Sequence, residues 1–165
     1  LRRSTQNIVL IGMPGSGKTT IGAALSQLYG RTLIDLDEQI VLAAGKPIPE
    51  IFAESGESAF RALEREQAQT WGKESGLVLV TGGGIVKDER NYQPLRQNGR
   101  IYQITRDVSL LPREGRPLSL ITDMETMLHE RAPLYARFRN VCIANDTTPE
   151  AAAAEIWREF CENAD

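Results

Sequence analysis

The sequence predicts an α/β fold, a five-stranded parallel sheet covered by helices. Five short apolar runs recur along the 165 residues, at 8–12 (IVLIG), 32–37 (TLIDLD), 77–81 (LVLVT), 100–104 (RIYQI) and 141–144 (VCIA). They are continuous rather than alternating, as strands buried on both faces are. The segments between them carry helical spacing, and alternating β and α elements favour parallel strands joined by crossovers.

The chain is long enough for one well-buried domain and short for two. With 41% hydrophobic and 25% charged residues it reads as globular, neither disordered nor membrane-spanning. Its net charge of −3 gives no reason to expect a nucleic acid partner. Positive charge is carried by 15 Arg against 4 Lys, and the planar guanidinium fork suits carboxylates and phosphates. The two cysteines, Cys142 and Cys161, and the single histidine, His129, make neither a zinc pattern nor a disulfide framework. A reduced, cytoplasmic compartment and a monomer are expected. The polar start LRRSTQN lacks the apolar core of a signal peptide, and the absence of an initiator Met suggests trimming or a domain of a longer chain.

The first run passes into GMPGSGKT, residues 12–19, which matches G-x-x-x-x-G-K-[ST] at every fixed position. Glycines let successive backbone N–H groups face a polyphosphate, and the helix expected over TIGAALSQLY adds its positive end. Pro14, Gly15, Ser16, Gly17, Lys18 and Thr19 are the candidate nucleotide cradle, with Lys18 on the β and γ phosphates and Thr19 on Mg²⁺.

The second run ends in Asp35 and Asp37, two residues apart and so on one face of a strand. At the C-terminal end of a parallel strand they would face the ligand crevice, one toward Mg²⁺ and one toward an acceptor hydroxyl. A solvated strand end with Asp37 capping a helix over EQIVLAAG explains them equally well. The clearest helix spans about 58–73, where Phe60, Leu63, Gln67 and Trp71 recur every three or four residues and Ser55 or Ser58 offers a cap. It carries Arg61 one turn after Glu57, a spacing that an ordinary exposed ion pair explains. The third run ends in Gly82, Gly83 and Gly84, which leave the backbone open to close approach. A last helix is expected over about 149–162, with Pro149 in its first turn and Ile156 and Phe160 on one face. Between these, 106–120 reads as a surface loop or short helix.

Together GMPGSGKTTIG, DLD, GESAFRALE, TGGGIV, GRPL (115–118) and ERAPLY (130–135) resemble the shikimate kinases, in order and over nearly the whole chain. The resemblance implies a three-layer α/β/α P-loop kinase fold, with substrate-binding helices over about 36–65 and a short lid over about 106–120. It implies an ATP-dependent kinase of shikimate, with Mg²⁺ as cofactor. Asp37, Arg61, Gly83 and Arg131 would hold shikimate beside Gly82 and Gly84, the arginines gripping its carboxylate. Lys18, Asp35, Asp37 and Arg116 would be catalytic, Thr19 and Asp35 would hold the metal, and Arg113, Arg116, Thr147 and Pro149 would join the ATP site. Two departures stand out: only Glu114 and Gly115 separate Arg113 from Arg116, which shortens the lid, and Thr147 stands where several relatives carry arginine.

Overall fold

A computed structural model describes residues 4–107 and 118–165, side chains excepted at 118–122. Most of the expected lid, with Arg113 and Arg116, lies outside the described residues. The five apolar runs form the strands β1 (Asn7–Ile11), β2 (Thr32–Asp35), β3 (Leu77–Val80), β4 (Gly99–Thr105) and β5 (Val141–Ala144). All neighbours pair in parallel, in the order β2-β3-β1-β4-β5. Chain progression reverses at β1, whose neighbours are β3 and β4, so the crevice of this sheet opens beyond the end of β1.

The helices are α1 (Lys18–Tyr29), α2 (Leu36–Ala44), α3 (Ile48–Gly72), the short α4 (Tyr92–Arg96), α5 (Leu118–Phe138) and α6 (Pro149–Asn163). Strand alternation divides the core. Ile8, Leu10, Val78, Val80, Tyr102 and Ile104 turn to the face covered by α1 and α6, where they meet Ile21, Leu25, Ile156 and Phe160. Val9, Ile11, Leu79 and Ile101 turn to the opposite face and meet Leu36, Ala68, Tyr135 and Phe138. Burial on both faces is why these strands read as unbroken apolar runs. No described helix is long and apolar enough to cross a membrane.

Two sequence readings change. β2 stops at Asp35, and Asp37 lies in the first turn of α2, so the two aspartates do not share a strand face. The cap of α2 is Asp35, not Asp37: its Oδ1 accepts from the backbone N–H of Asp37 at 2.9 Å and of Glu38 at 3.3 Å. Those N–H groups are free at a helix start, and a strand ending in aspartate satisfies them at once.

α3 as a whole begins at Ile48, with Pro47 as its N-cap residue, but Gly56, where φ is 81° and ψ 174°, divides it into two helices, and the second is the one expected from about 58. That backbone conformation favours glycine and re-aims the chain before the turn that carries Arg61. The helix before Gly56, from Ile48, was not expected, although Ile48, Ile51 and Phe52 stand at helical spacing and Ile51 is buried. A third, small core of Ile40, Ile51 and Phe60 fastens α3 to α2.

Capping and any ligand role of Asp35 are separable. Asp35→Ala should lower unfolding free energy by about 1 kcal/mol, whereas Asp35→Ser, which keeps a capping oxygen, should restore most of it in urea denaturation.

Candidate active site

The turn after β1 winds into α1 through Gly17, whose φ of 100° puts it in the left-handed region. Its flank is occupied by the Asn145 side chain, which donates from Nδ2 to the Ser16 carbonyl at 2.9 Å and leaves no room for a Cβ at Gly17. Asn145 follows the last residue of β5 and is buried, so the end of that strand braces the loop. Lys18, the first residue of α1, is also buried and folds back to donate from Nζ to the carbonyls of Gly12 at 2.5 Å and Met13 at 3.0 Å. Burial pulls its ammonium down to a pKa of about 8, opposed by Asp37 and Asp35 and reinforced by Arg131. Thr19 is exposed beside it.

Across the crevice, Asp37 is held by α2. Burial raises its carboxyl above the usual range, Asp35 raises it further, and Lys18 and Arg61 pull the other way. Its Oδ1 is buried without a hydrogen-bond partner among the described residues. Glu64, on α3, is 1% exposed and lies 2.9 Å from Arg61 Nη1. Burial raises its carboxyl too, against the hydrogen bond from Arg61, and its Oε2 has no hydrogen-bond partner among the described residues. Arg131, on α5, lies close enough to influence Lys18, Glu64 and Tyr135.

The pairing read from sequence is therefore corrected. Arg61 sits only 3.4 Å from Glu57, which is better matched to Lys87 at 2.7 Å, and its closer anion is the buried Glu64. A guanidinium held by a buried carboxylate is fixed in direction, unlike one in an exposed i,i+4 pair. The signal for Glu64 was a charge placed on the apolar stripe of α3 among Phe60, Gln67 and Ala68.

Each of the three glycines after β3 makes room for a different neighbour. A Cβ at Gly82 would lie 2.9 Å from Asp37 Oδ1 and 3.1 Å from Glu64 Oε2. At Gly83 it would lie 2.7 Å from Pro14 Cδ, and at Gly84 2.5 Å from Arg61 Nη2. The run is thus required by the protein's own side chains as much as by any ligand. Tyr135 closes this floor by donating from its hydroxyl to the Gly83 carbonyl at 2.6 Å. Nothing in the spacing of the sequence pointed to Tyr135 or to Asn145.

The fold thus brings Pro14, Lys18, Asp35, Asp37, Arg61, Arg131 and the three glycines to one edge of the sheet. Thr147 and Pro149 stand apart from them in a second recess, lined also by Gly17, Thr20, Asn145 and Asp146. The arrangement offers a phosphate cradle with a buried cation, an acidic group aimed inward, and fixed guanidinium groups for a small anion. Fitness for Mg²⁺ follows from the donor types. Among the described residues there is no cluster of three acidic or histidine ligands, but an ion that takes most of its ligands from phosphates and water needs only the Thr19 hydroxyl and one carboxylate.

Residues 14–161 match the family model described as shikimate kinase. The chain is 38% identical over 164 residues to the shikimate kinase of Synechococcus sp. (strain CC9605), covering 94% of this chain and 82% of that protein. It is also 38% identical over 161 residues to the shikimate kinase of Thermobifida fusca (strain YX), covering 92% and 93%. Among solved structures, the shikimate kinase of Acinetobacter baumannii in complex with shikimate superposes with a TM-score of 0.89 at 29% identity, covering 96% of this chain and 94% of that one.

If Asn145 braces the phosphate loop, Asn145→Leu should weaken ADP binding about five- to tenfold, the equivalent of one buried hydrogen bond. Calorimetric titration of the variant with ADP measures this directly.

Proposed function

The chain belongs to the shikimate kinase family, and on that premise we propose that it transfers the γ-phosphoryl group of ATP to the 3-hydroxyl of shikimate, giving shikimate 3-phosphate for aromatic amino-acid synthesis. The observation that carries this reading is the inward-facing Asp37, beside the glycine floor and the Arg61–Glu64 pair, across from Lys18. Shikimate is a small anion with several hydroxyls. Arg61 and Arg131 supply cations for its carboxylate, and the orphaned Oδ1 of Asp37 supplies an acceptor for a ring hydroxyl.

In the transfer, the acceptor oxygen forms a bond to the γ-phosphorus as the bond to the β–γ bridging oxygen breaks, leaving ADP. Asp37 receives the hydroxyl proton. Asp35 is less suited to that task because its Oδ1 already accepts two backbone N–H groups, while burial raises the carboxyl of Asp37 above the usual range, which suits it to take up a proton. Lys18 exchanges its carbonyl partners for phosphate oxygens, and Arg116, with Arg113, would bring positive charge from the lid over 106–120. Thr19, with Asp35 directly or through water, would hold Mg²⁺, which supplies charge neutralisation on the phosphates when bound. Alignment and charge neutralisation carry most of such a transfer, and fixed groups at a buried edge provide both. In this reading the acceptor-binding part spans about 36–65 of one domain, the protein acts as a monomer in the cytoplasm, and Gly82, Gly83 and Gly84 flank the acceptor.

A coupled ADP-release assay comparing shikimate, quinate, gluconate and nucleoside monophosphates tests the reading. Stimulation by shikimate above the others is expected, and none by shikimate would overturn it. Arg61→Ala should raise the KM for shikimate at least tenfold with a smaller change in kcat, and Lys18→Ala should chiefly lower kcat.

A further inference from the structure

Lys87 has no role in the site as described so far. It ends the short 3-10 helix Ile85–Lys87 that follows the glycine floor, and Ile85 and Val86 are buried, so the segment is anchored from below. Its side chain lines two recesses at once, one shared with Arg61 and Glu57 and the other with Arg131. It therefore stands between the two arginines read as gripping the acceptor carboxylate. Of the carboxylates that follow it in the chain, Asp88 is taken by Arg65 and Arg90, and Glu89 by Arg137. Lys87 reaches instead to Glu57, whose Oε1 accepts from its Nζ at 2.7 Å. The same oxygen lies 3.4 Å from Arg61 Nε. Two cations thus contend for one carboxylate, and the lysine holds it more closely. The Glu57 carboxyl is kept below the usual range chiefly by the hydrogen bond from Lys87, and less by Arg61.

We propose that Lys87 is a positioning residue for the acceptor: by holding Glu57 it keeps the Nε–Nη2 edge of Arg61 open to the acceptor carboxylate. The inference rests on the reading that Arg61 grips that carboxylate. A guanidinium binds a carboxylate best through two parallel N–H bonds. Nη1 of Arg61 is engaged by Glu64 at 2.9 Å, and Nη2 lies where a Cβ at Gly84 would meet it, at the acceptor floor. The edge left for a two-bond grip is Nε with Nη2. Glu57 stands one helical turn before Arg61, where an i,i+4 pair forms readily. A carboxylate tethered so close competes for that edge at high effective concentration against any dissolved anion. Lys87, arriving from a different element, draws it off. Exposed ion pairs add little to stability, and the Glu57 and Lys87 side chains are 53% and 41% exposed. The pair is better explained by what it keeps apart than by what it holds together.

The test is a double-mutant cycle of Lys87→Met and Glu57→Gln, singly and together, read as steady-state constants for shikimate. Lys87→Met is expected to raise the KM for shikimate about three- to fivefold, the scale of one exposed ion pair, with kcat and the KM for ATP within about twofold. Lys87→Arg, which keeps the charge, should restore the wild-type KM. In the Glu57→Gln background Lys87→Met should leave the KM nearly unchanged, because no competing carboxylate remains. An equal rise in both backgrounds would mean that Lys87 attracts the acceptor directly and would overturn the assignment. A wild-type protein that ignored shikimate would sink the acceptor reading and this inference together. A wild type saturated by shikimate whose Lys87→Met variant kept the same KM would sink this inference alone.

Discussion

The site depends on one physical constraint, that several charges are buried together and only partly compensated by the protein. Lys18, Asp37, Glu64 and Arg61 occupy one edge of the sheet, and three of the four are shifted in the direction that burial dictates. Holding Lys18 near 8 rather than 10.5 corresponds to a destabilisation of about 3 kcal/mol. Because the folded value lies below the unfolded one, that penalty is fully present below about pH 8 and disappears as pH rises toward 10.5. The fold tolerates it because two apolar cores flank the sheet, and because Arg61 and Glu64 satisfy much of each other.

Ligands of the right charge would complete this cluster. Phosphate oxygens offer Lys18 a better partner than the carbonyls of Gly12 and Met13. A hydroxyl donor would satisfy the orphaned oxygen of Asp37. Preorganisation of this kind costs stability in the empty protein and returns it as binding and as transition-state stabilisation. The glycine floor belongs to the same logic, since a side chain at any of its three positions would collide with a group that has to stay in place.

Much of this was legible in the sequence. The strands announced themselves because burial on both faces forces continuous apolar runs, and the phosphate loop because its geometry admits few residues. The aspartates stood out at the end of an apolar run, but the ligand roles of Arg61 and Arg131 came only through the resemblance of six ordered motifs, and their partners mostly were not visible. Glu64 was overlooked because a carboxylate three residues after an arginine reads as surface, and only its position on the apolar stripe shows otherwise. Asn145 and Tyr135 act through backbone carbonyls distant in the chain, Ser16 and Gly83, a kind of contact that leaves no pattern of spacing. The placing of Asp37 on the strand failed for a local reason, since a strand that runs directly into a helix capped by its own last residue looks in sequence like a longer strand.

The most direct test of the account is the proton balance of nucleotide binding. If Lys18 is a buried cation awaiting phosphate, it is mostly neutral at pH 9 in the free protein and becomes charged when ADP binds. Calorimetric titrations at pH 9 in two buffers of different ionisation enthalpy should then show uptake of close to one proton. Lys18→Arg, which stays charged throughout, should show almost none. Binding of ADP to the wild-type protein at pH 9 without proton uptake would contradict the account.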